Sequence, residues 1–245
     1  GGLVTEEDLA AYRATWHRPV AVPFAGTEIH TRGGLSAVPE TLARLPSLRG
    51  RTAAERAVVL AETLDGVPGS NGHTTNLSVL DEAGNACVVT TSLGLGSGDF
   101  VPGLDLHLNS MLGEADLVRA GLGVGERMGS MMAPSVALAG GRVVLAAGAA
   151  GGTRLRGALV QVLSGILDEG VAPGDAVERP RLHPADGRVQ LEPGFPADVV
   201  AALERAGFEP RLWEARHHFF GGVSVVTPSG GAADPRRSGA AATVP

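Results

Sequence analysis

The sequence predicts an α+β fold built mainly on antiparallel sheets. Three observations carry this: two pairs of strand-like runs joined by short turns, at 74–93 and 135–147; an apolar-periodic segment at 154–170 that follows a glycine-rich turn; and the lack of the regular strand-helix alternation that a doubly wound parallel sheet requires. At 245 residues the chain can bury a sizeable core without disulfides.

Thr5, followed by Glu6, Glu7 and Asp8, offers an N-cap and negative charge at the positive end of a helix dipole, so a short helix is expected over 5–14. Thr52 with Glu55 three residues later is a capping box, and Ala53, Val58, Leu60 and Leu64 supply the apolar positions of a second helix that stops before Gly66. Residues 1–73 thus read as a helical leader. The turn-forming run VPGSNGH (67–73) should be an exposed, flexible connection to a sheet-rich part at 74–245.

TTNLSVLD (74–81) alternates Thr75, Leu77 and Val79 against Thr74, Asn76 and Ser78, and with ACVVTTSL (86–93) and a turn at 82–85 it makes a β-hairpin. SVALA and RVVLAA form a second hairpin about Gly140-Gly141, a pair suited to the positive φ angles of a type I′ turn. The loop GAAGGT (148–153) then opens the amphipathic helix of RLRGALVQVLSGILDEG, with Gly170 at its end. RVQLE, a helix from Pro196 to Ala206, RLWEA and GVSVVTP continue the mixture, and residues 229–245 form a Gly/Ala-rich end.

Composition excludes several chemistries. All twenty basic residues are Arg, so there is no Walker A lysine, Schiff-base lysine or pyridoxal-phosphate anchor. Cys87 is the single cysteine, which rules out an intrachain disulfide framework or a Cys-rich zinc site; in mid-strand it reads as a small buried hydrophobe. A net charge of -6 without an Arg-rich run opposes nucleic acid as a partner. No run of 18 apolar residues marks a membrane span, and the first residues have no signal-peptide pattern. The absence of an initial Met fits a numbering that starts inside a longer product or after processing.

No His-Glu-x-x-His or other metal spacing occurs, and His217-His218 read as half-buried aromatics pointing to opposite faces. The loops GLGSGD (94–99) and GLGVGE (121–126) lack dinucleotide-binding spacing and read as tight turns. Gly151-Gly152 differ, because two successive amides opening a helix are a natural anion or oxyanion site. Thr74, starting a strand after a loop of small residues, stands where a self-cleaving precursor would expose a new N-terminal Thr whose α-amine serves as its own base.

These segments resemble the γ-glutamyltransferases (γ-glutamyltranspeptidases), self-processing N-terminal-nucleophile hydrolases. TTNLSVLDEAGNACVVTTSL is similar to their processing-site segment, and the resemblance continues through LHLNSML, SMMAPSVAL, GAAGGTRL, PRLHPADGRVQLEPGF and ADPRRSGAA. GGLVTEEDLAAYRATWHRPV resembles the late part of the family's large subunit.

The resemblance implies an αββα sandwich, no cofactor and no metal. It implies cleavage between His73 and Thr74, Thr74 as nucleophile and new N-terminus, Ser92 as its supporting hydroxyl, and Gly151 and Gly152 as the oxyanion hole. It implies Glu114 on a substrate α-ammonium and Ser130 on an α-carboxylate. The substrate would be a γ-glutamyl or other amide, for example a β-lactam side chain, the acceptor water or an amine or amino acid, and the two fragments would stay associated as a heterodimer; the alternative reading is an inactive, truncated member of the family with a binding or structural role. Asn76, Gly94, Met111 and Met131 depart from the family's His, Asn, Gln and Ser, and its carboxylate-clamping Arg belongs to an upstream region that this chain does not cover.

Overall fold

The computed structural model describes residues 5–66, 73–114, 117 and 122–244. Helix α1 (Glu6–Ala11) has the expected cap, closed reciprocally by Thr5 and Asp8, and stops three residues short of the expected end. The leader is not only helical: β1 (Val20–Phe24) and β2 (Thr27–Thr31) form a hairpin, followed by α2 (Val38–Arg44) and α3 (Ala53–Leu64), the latter with the Thr52–Glu55 capping box. The run 67–72 lies outside the described residues.

The first expected hairpin is β3 (His73–Leu80) with β4 (Ala86–Gly94), and two short strands follow, β5 (Phe100–Val101) and β6 (Leu106–His107). The second expected hairpin is β7 (Ser135–Ala139) and β8 (Arg142–Ala150), turning on Gly140 and Gly141 with φ of 56° and 77°. Residues 148–150, expected in a loop, extend β8 because Gly148 to Ala150 pair with the strand at 222–224. Beyond them come α4 (Arg154–Leu167), α5 (Pro173–Glu178), β9 (Leu182–Ala185), β10 (Arg188–Leu191), α6 (Ala197–Arg205), β11 (Glu209–Leu212), β12 (Gly222–Thr227) and β13 (Gly230–Ala233).

A six-stranded sheet in the order β1-β2-β7-β8-β12-β13 is antiparallel throughout; the β10–β11 pair is parallel. Helix α4 packs on β8 and β12, and the β3–β4 hairpin stacks on the opposite face of the sheet. Because β8 is covered on both sides, its residues from Leu145 to Ala150 are all buried and small enough for close approach. Gly148 is required there: a Cβ would lie 2.0 Å from Asn76 Oδ1 on β3.

The hairpin turns its polar side inward. The Asn76 carboxamide hydrogen-bonds the hydroxyls of Thr90, Ser78 and Ser224, the last on β12. Leu77, Val79, Val89 and Leu93 therefore face outward and are exposed. Cys87 shares that outer face, so the expectation of a buried thiol is corrected: it is exposed.

Candidate active site

The β3–β4 register sets Thr74 directly opposite Ser92. A register shift lies between His73 and Thr74, with His73 pairing to Gly94, so the backbone is irregular at the bond where cleavage was expected. Past Ser92 the chain bends: Gly94 (φ +66°) donates to Ser92 Oγ at 3.2 Å, and Leu95 N–H donates to Ser110 Oγ at 3.0 Å. Ser110 N–H in turn donates to the Leu93 carbonyl at 2.9 Å. This stitching sets the tight turn Met111–Gly113 and Glu114 beside the start of β3.

A narrow cavity of about 30 Å³ results, in which Thr74, Ser92, Glu114, Ser130 and Gly152 meet. Its remaining wall is apolar: Met111, Leu117, Met131, Met132 and Leu155. Five of the expected site residues thus converge on one space. Gly151 is buried immediately before it in sequence and is not part of the wall. His73 enters only through its backbone pairing at the head of β3.

Gly151 and Gly152 sit in backbone that favours glycine, with φ of 139° and 58°. They form the turn that leads into α4: Arg154 N–H donates to the Gly151 carbonyl and Leu155 N–H to that of Gly152, both at 3.1 Å. A Cβ on Gly151 would approach Gly221 Cα to 2.8 Å, so the turn is backed by the 218–222 segment. The sequence contained a signal for this partner, the Gly221-Gly222 pair, but not its destination.

That segment is anchored by a buried ionic cluster that sequence reasoning did not find. Arg181 binds Asp234 at 2.5 Å and Arg236 binds Glu192 at 2.5 Å, while Arg236 also reaches Asp234 at 3.2 Å. All four side chains are at most 3% exposed. Asp234 also accepts the Val223 N–H at 3.1 Å, and Arg181 donates to the Gly221 carbonyl at 3.2 Å. Burial lowers Arg181 to about 10, against the pull of Asp234, so the guanidinium stays charged at neutral pH.

His217 and His218 are exposed and their rings lie 4.1 Å apart, so they neither diverge nor bury as expected; the chain turns there into a short 3₁₀ segment, His218–Phe220. Burial, and then Arg154 and Arg156, lower His183 from its ordinary 6.5 to about 4. Among the described residues no group of three or more His, Cys, Asp or Glu could hold a metal ion, and no helix is long and apolar enough to cross a membrane.

Comparison with known proteins adds three findings. The sequence profile described as Gamma-glutamyltranspeptidase matches residues 51–244. The glutathione hydrolase proenzyme of Escherichia coli (strain K12) is 24% identical over 321 residues, covering 96% of this chain and 54% of that protein; an acylase ACY 1 proenzyme of Pseudomonas sp. (strain SE83) is 30% identical over 152 residues, covering 57% and 26%. The chain therefore spans about half the length of the first of these relatives. Among solved structures, the γ-glutamyltranspeptidase of Pseudomonas nitroreducens complexed with L-DON superposes with a TM-score of 0.60 at 26% identity. The match takes in all of that chain and 70% of this one.

Proposed function

The chain belongs to the γ-glutamyltranspeptidase family, and we propose that it is a self-processing amidohydrolase with Thr74 as its nucleophile. The observation that carries this is the cavity in which the first strand of the processing segment presents Thr74 to Ser92, Gly152 and Glu114.

In the first step Thr74 Oγ adds to the His73 carbonyl carbon, and the amide between them gives way to an ester on Oγ. Water hydrolyses that ester, leaving a carboxylate on His73 and a free α-amine on Thr74. The amine, with an ordinary pKa of about 7.7 to 8.0, is matched to accept the Thr74 hydroxyl proton near neutral pH. Thr74 Oγ then attacks the substrate's amide carbon. The Gly151 and Gly152 amides are the donors for the oxyanion, and Ser92 positions the nucleophile. The proton held by the α-amine passes to the departing amine, and water or an acceptor amine resolves the acyl-enzyme. Each oxyanion donor contributes about 3 to 4 kcal/mol to lowering the barrier.

Cleavage would leave fragments of 73 and 172 residues. They should remain together, because β2 pairs with β7 across the cut and α2 and α3 supply Leu42, Leu60, Ala61 and Leu64 to the common core.

Mass spectrometry of the purified chain tests the proposal. Two fragments with Thr74 at the new N-terminus are expected, Thr74→Ala should abolish both cleavage and amidase activity, and Thr74→Ser should retain part of both. Efficient cleavage of the Thr74→Ala chain would remove Thr74 from the mechanism.

A further inference from the structure

The chain has four methionines, Met111, Met128, Met131 and Met132, and three of them, Met111, Met131 and Met132, line the Thr74 cavity. Leucine would fill such a wall as well, since Leu and Met exchange at nearly constant volume. What the thioethers add is chemistry: each carries a polarizable sulfur that a two-electron oxidant converts to a polar, chiral sulfoxide. All three are half-buried rather than sealed in the core. A cavity that admits an amide substrate also admits hydrogen peroxide, which is smaller.

Position decides the consequence of oxidation. Met111 Sδ and Glu114 Oε1 lie 3.5 Å and 3.1 Å from one point, the place a Cβ would take on Gly94 at the end of β4. A sulfoxide oxygen on Met111 would set a negative dipole end beside that carboxylate. The cavity, at about 30 Å³, has room for about two waters, so added oxygens either fill it or push its wall apart. Met132 donates its N–H to Ser130 Oγ at 3.2 Å, so a displaced Met131-Met132 segment carries Ser130 with it.

Resting on the proposed Thr74 chemistry, we propose that Met111, Met131 and Met132 form a reversible oxidation site at which hydrogen peroxide switches the cavity off. At each sulfur the thioether gives up two electrons, the peroxide O–O bond breaks, an S–O bond forms and water leaves. A methionine sulfoxide reductase reverses this: two electrons and two protons from a dithiol restore the thioether and release the oxygen as water.

The test uses the full chain carrying Cys87→Ser, which removes the exposed thiol as a second target. Peroxide is added until peptide mass spectrometry finds sulfoxides at 111, 131 and 132. Activity is followed on whichever of the γ-glutamyl and glutaryl p-nitroanilides the chain cleaves. The expected kcat/KM falls about tenfold or more and returns when both epimer-specific reductases and dithiothreitol are added. Each variant is compared with its own untreated activity. The triple variant Met111→Leu, Met131→Leu, Met132→Leu should lose less than twofold, whereas Met128→Leu, outside the wall, should lose as much as the parent. Full oxidation of the three with less than a twofold loss, or a triple variant as sensitive as the parent, overturns the inference.

If neither anilide is cleaved in a Thr74-dependent way, that result counts against the Thr74 chemistry. The oxidation site is then read by NMR of the same chain labelled at the methyl groups of methionine and leucine. The three wall methionines should convert to sulfoxides and revert with the reductases, and the Leu117 and Leu155 methyl signals should move with them, because both side chains line the same cavity. A wall methionine that stays a thioether while Met128 is oxidised, or unmoved Leu117 and Leu155 signals, refutes it.

Discussion

Replacing Asp234 by Asn tests the buried cluster behind the Gly151-Gly152 turn. The carboxylate receives four donors: Arg181 Nη2 at 2.5 Å, Arg236 Nη1 at 3.2 Å, the Val223 N–H at 3.1 Å and the Arg236 N–H at 3.0 Å. A carboxamide offers one oxygen in place of two and turns an NH₂ toward donors. At least one of these bonds is lost, and Glu192 alone is left to balance two guanidiniums that are at most 2% exposed. Removing one partner of such a pair costs about 3 to 5 kcal/mol, a large share of the roughly 5 to 15 kcal/mol that holds a domain folded.

Urea unfolding in the Thr74→Ala background, expected to keep the chain single, measures this as a shift of midpoint at constant slope. The double variant Arg181→Met, Asp234→Leu removes both charges and should be less destabilised than the sum of its singles by at least about 1 kcal/mol. A loss below about 1 kcal/mol for Asp234→Asn, or strict additivity in the cycle, would refute the assignment of the cluster as a coupled anchor.

Gly151→Ala forces a Cβ against Gly221 Cα at 2.8 Å in backbone of φ 139°, so kcat should fall about 100-fold or more with KM little changed; steady-state kinetics showing less than a threefold loss would disprove the turn's role. His183, lowered to about 4 from its ordinary 6.5, takes up its proton later in the folded chain than in the unfolded one. The neutral form is common to both states above pH 6.5, and stability is lost as pH falls from 6.5 toward 4, by about 3 kcal/mol in all. His183→Gln should flatten that part of a stability-against-pH curve, and parallel curves would rule the account out. Thr75→Ala should be cleaved and active at near wild-type rates, since Thr75 is exposed on the outer face of β3; loss of cleavage in this variant would move the nucleophile.

Local signals with a strong physical cause were legible in the sequence. The Thr52–Glu55 capping box, the Gly140-Gly141 turn and the polar-apolar alternation of β3 each fix backbone conformation through residues next to one another. Helix α2 had a weaker signal, Pro39 in its first turn but no cap: its N-cap, Ala37, holds φ +49° and makes no side-chain cap bond. Strand β1 contains Pro23, which reads against a strand, but β1 is the sheet's edge, where a missing N–H is tolerated. The ionic cluster joins residues at 181, 192, 234 and 236, and only tertiary folding brings the first pair to the second.

Which face of the hairpin turns inward was not legible, and the position of the proposed nucleophile depends on it. Hydrophobicity alone would bury Leu77 and Val79. The facing sheet, however, offers Gly148 and Ser224, a surface low enough for Asn76 and Ser78 to approach and hydrogen-bond to Ser224, while Thr90 bonds Asn76 within the hairpin. A satisfied polar layer of this kind forgoes little, because each buried group has its partner. The cost appears outside, as an apolar patch of Leu77, Val79, Val89 and Leu93. Since side chains alternate along a strand, the choice that buries Asn76 and Ser78 also turns Thr74 into the cavity and Thr75 away from it. A slip of one residue would exchange the two threonines, so the register that ties Asn76 to Ser224 is what makes Thr74 the hydroxyl opposite Ser92.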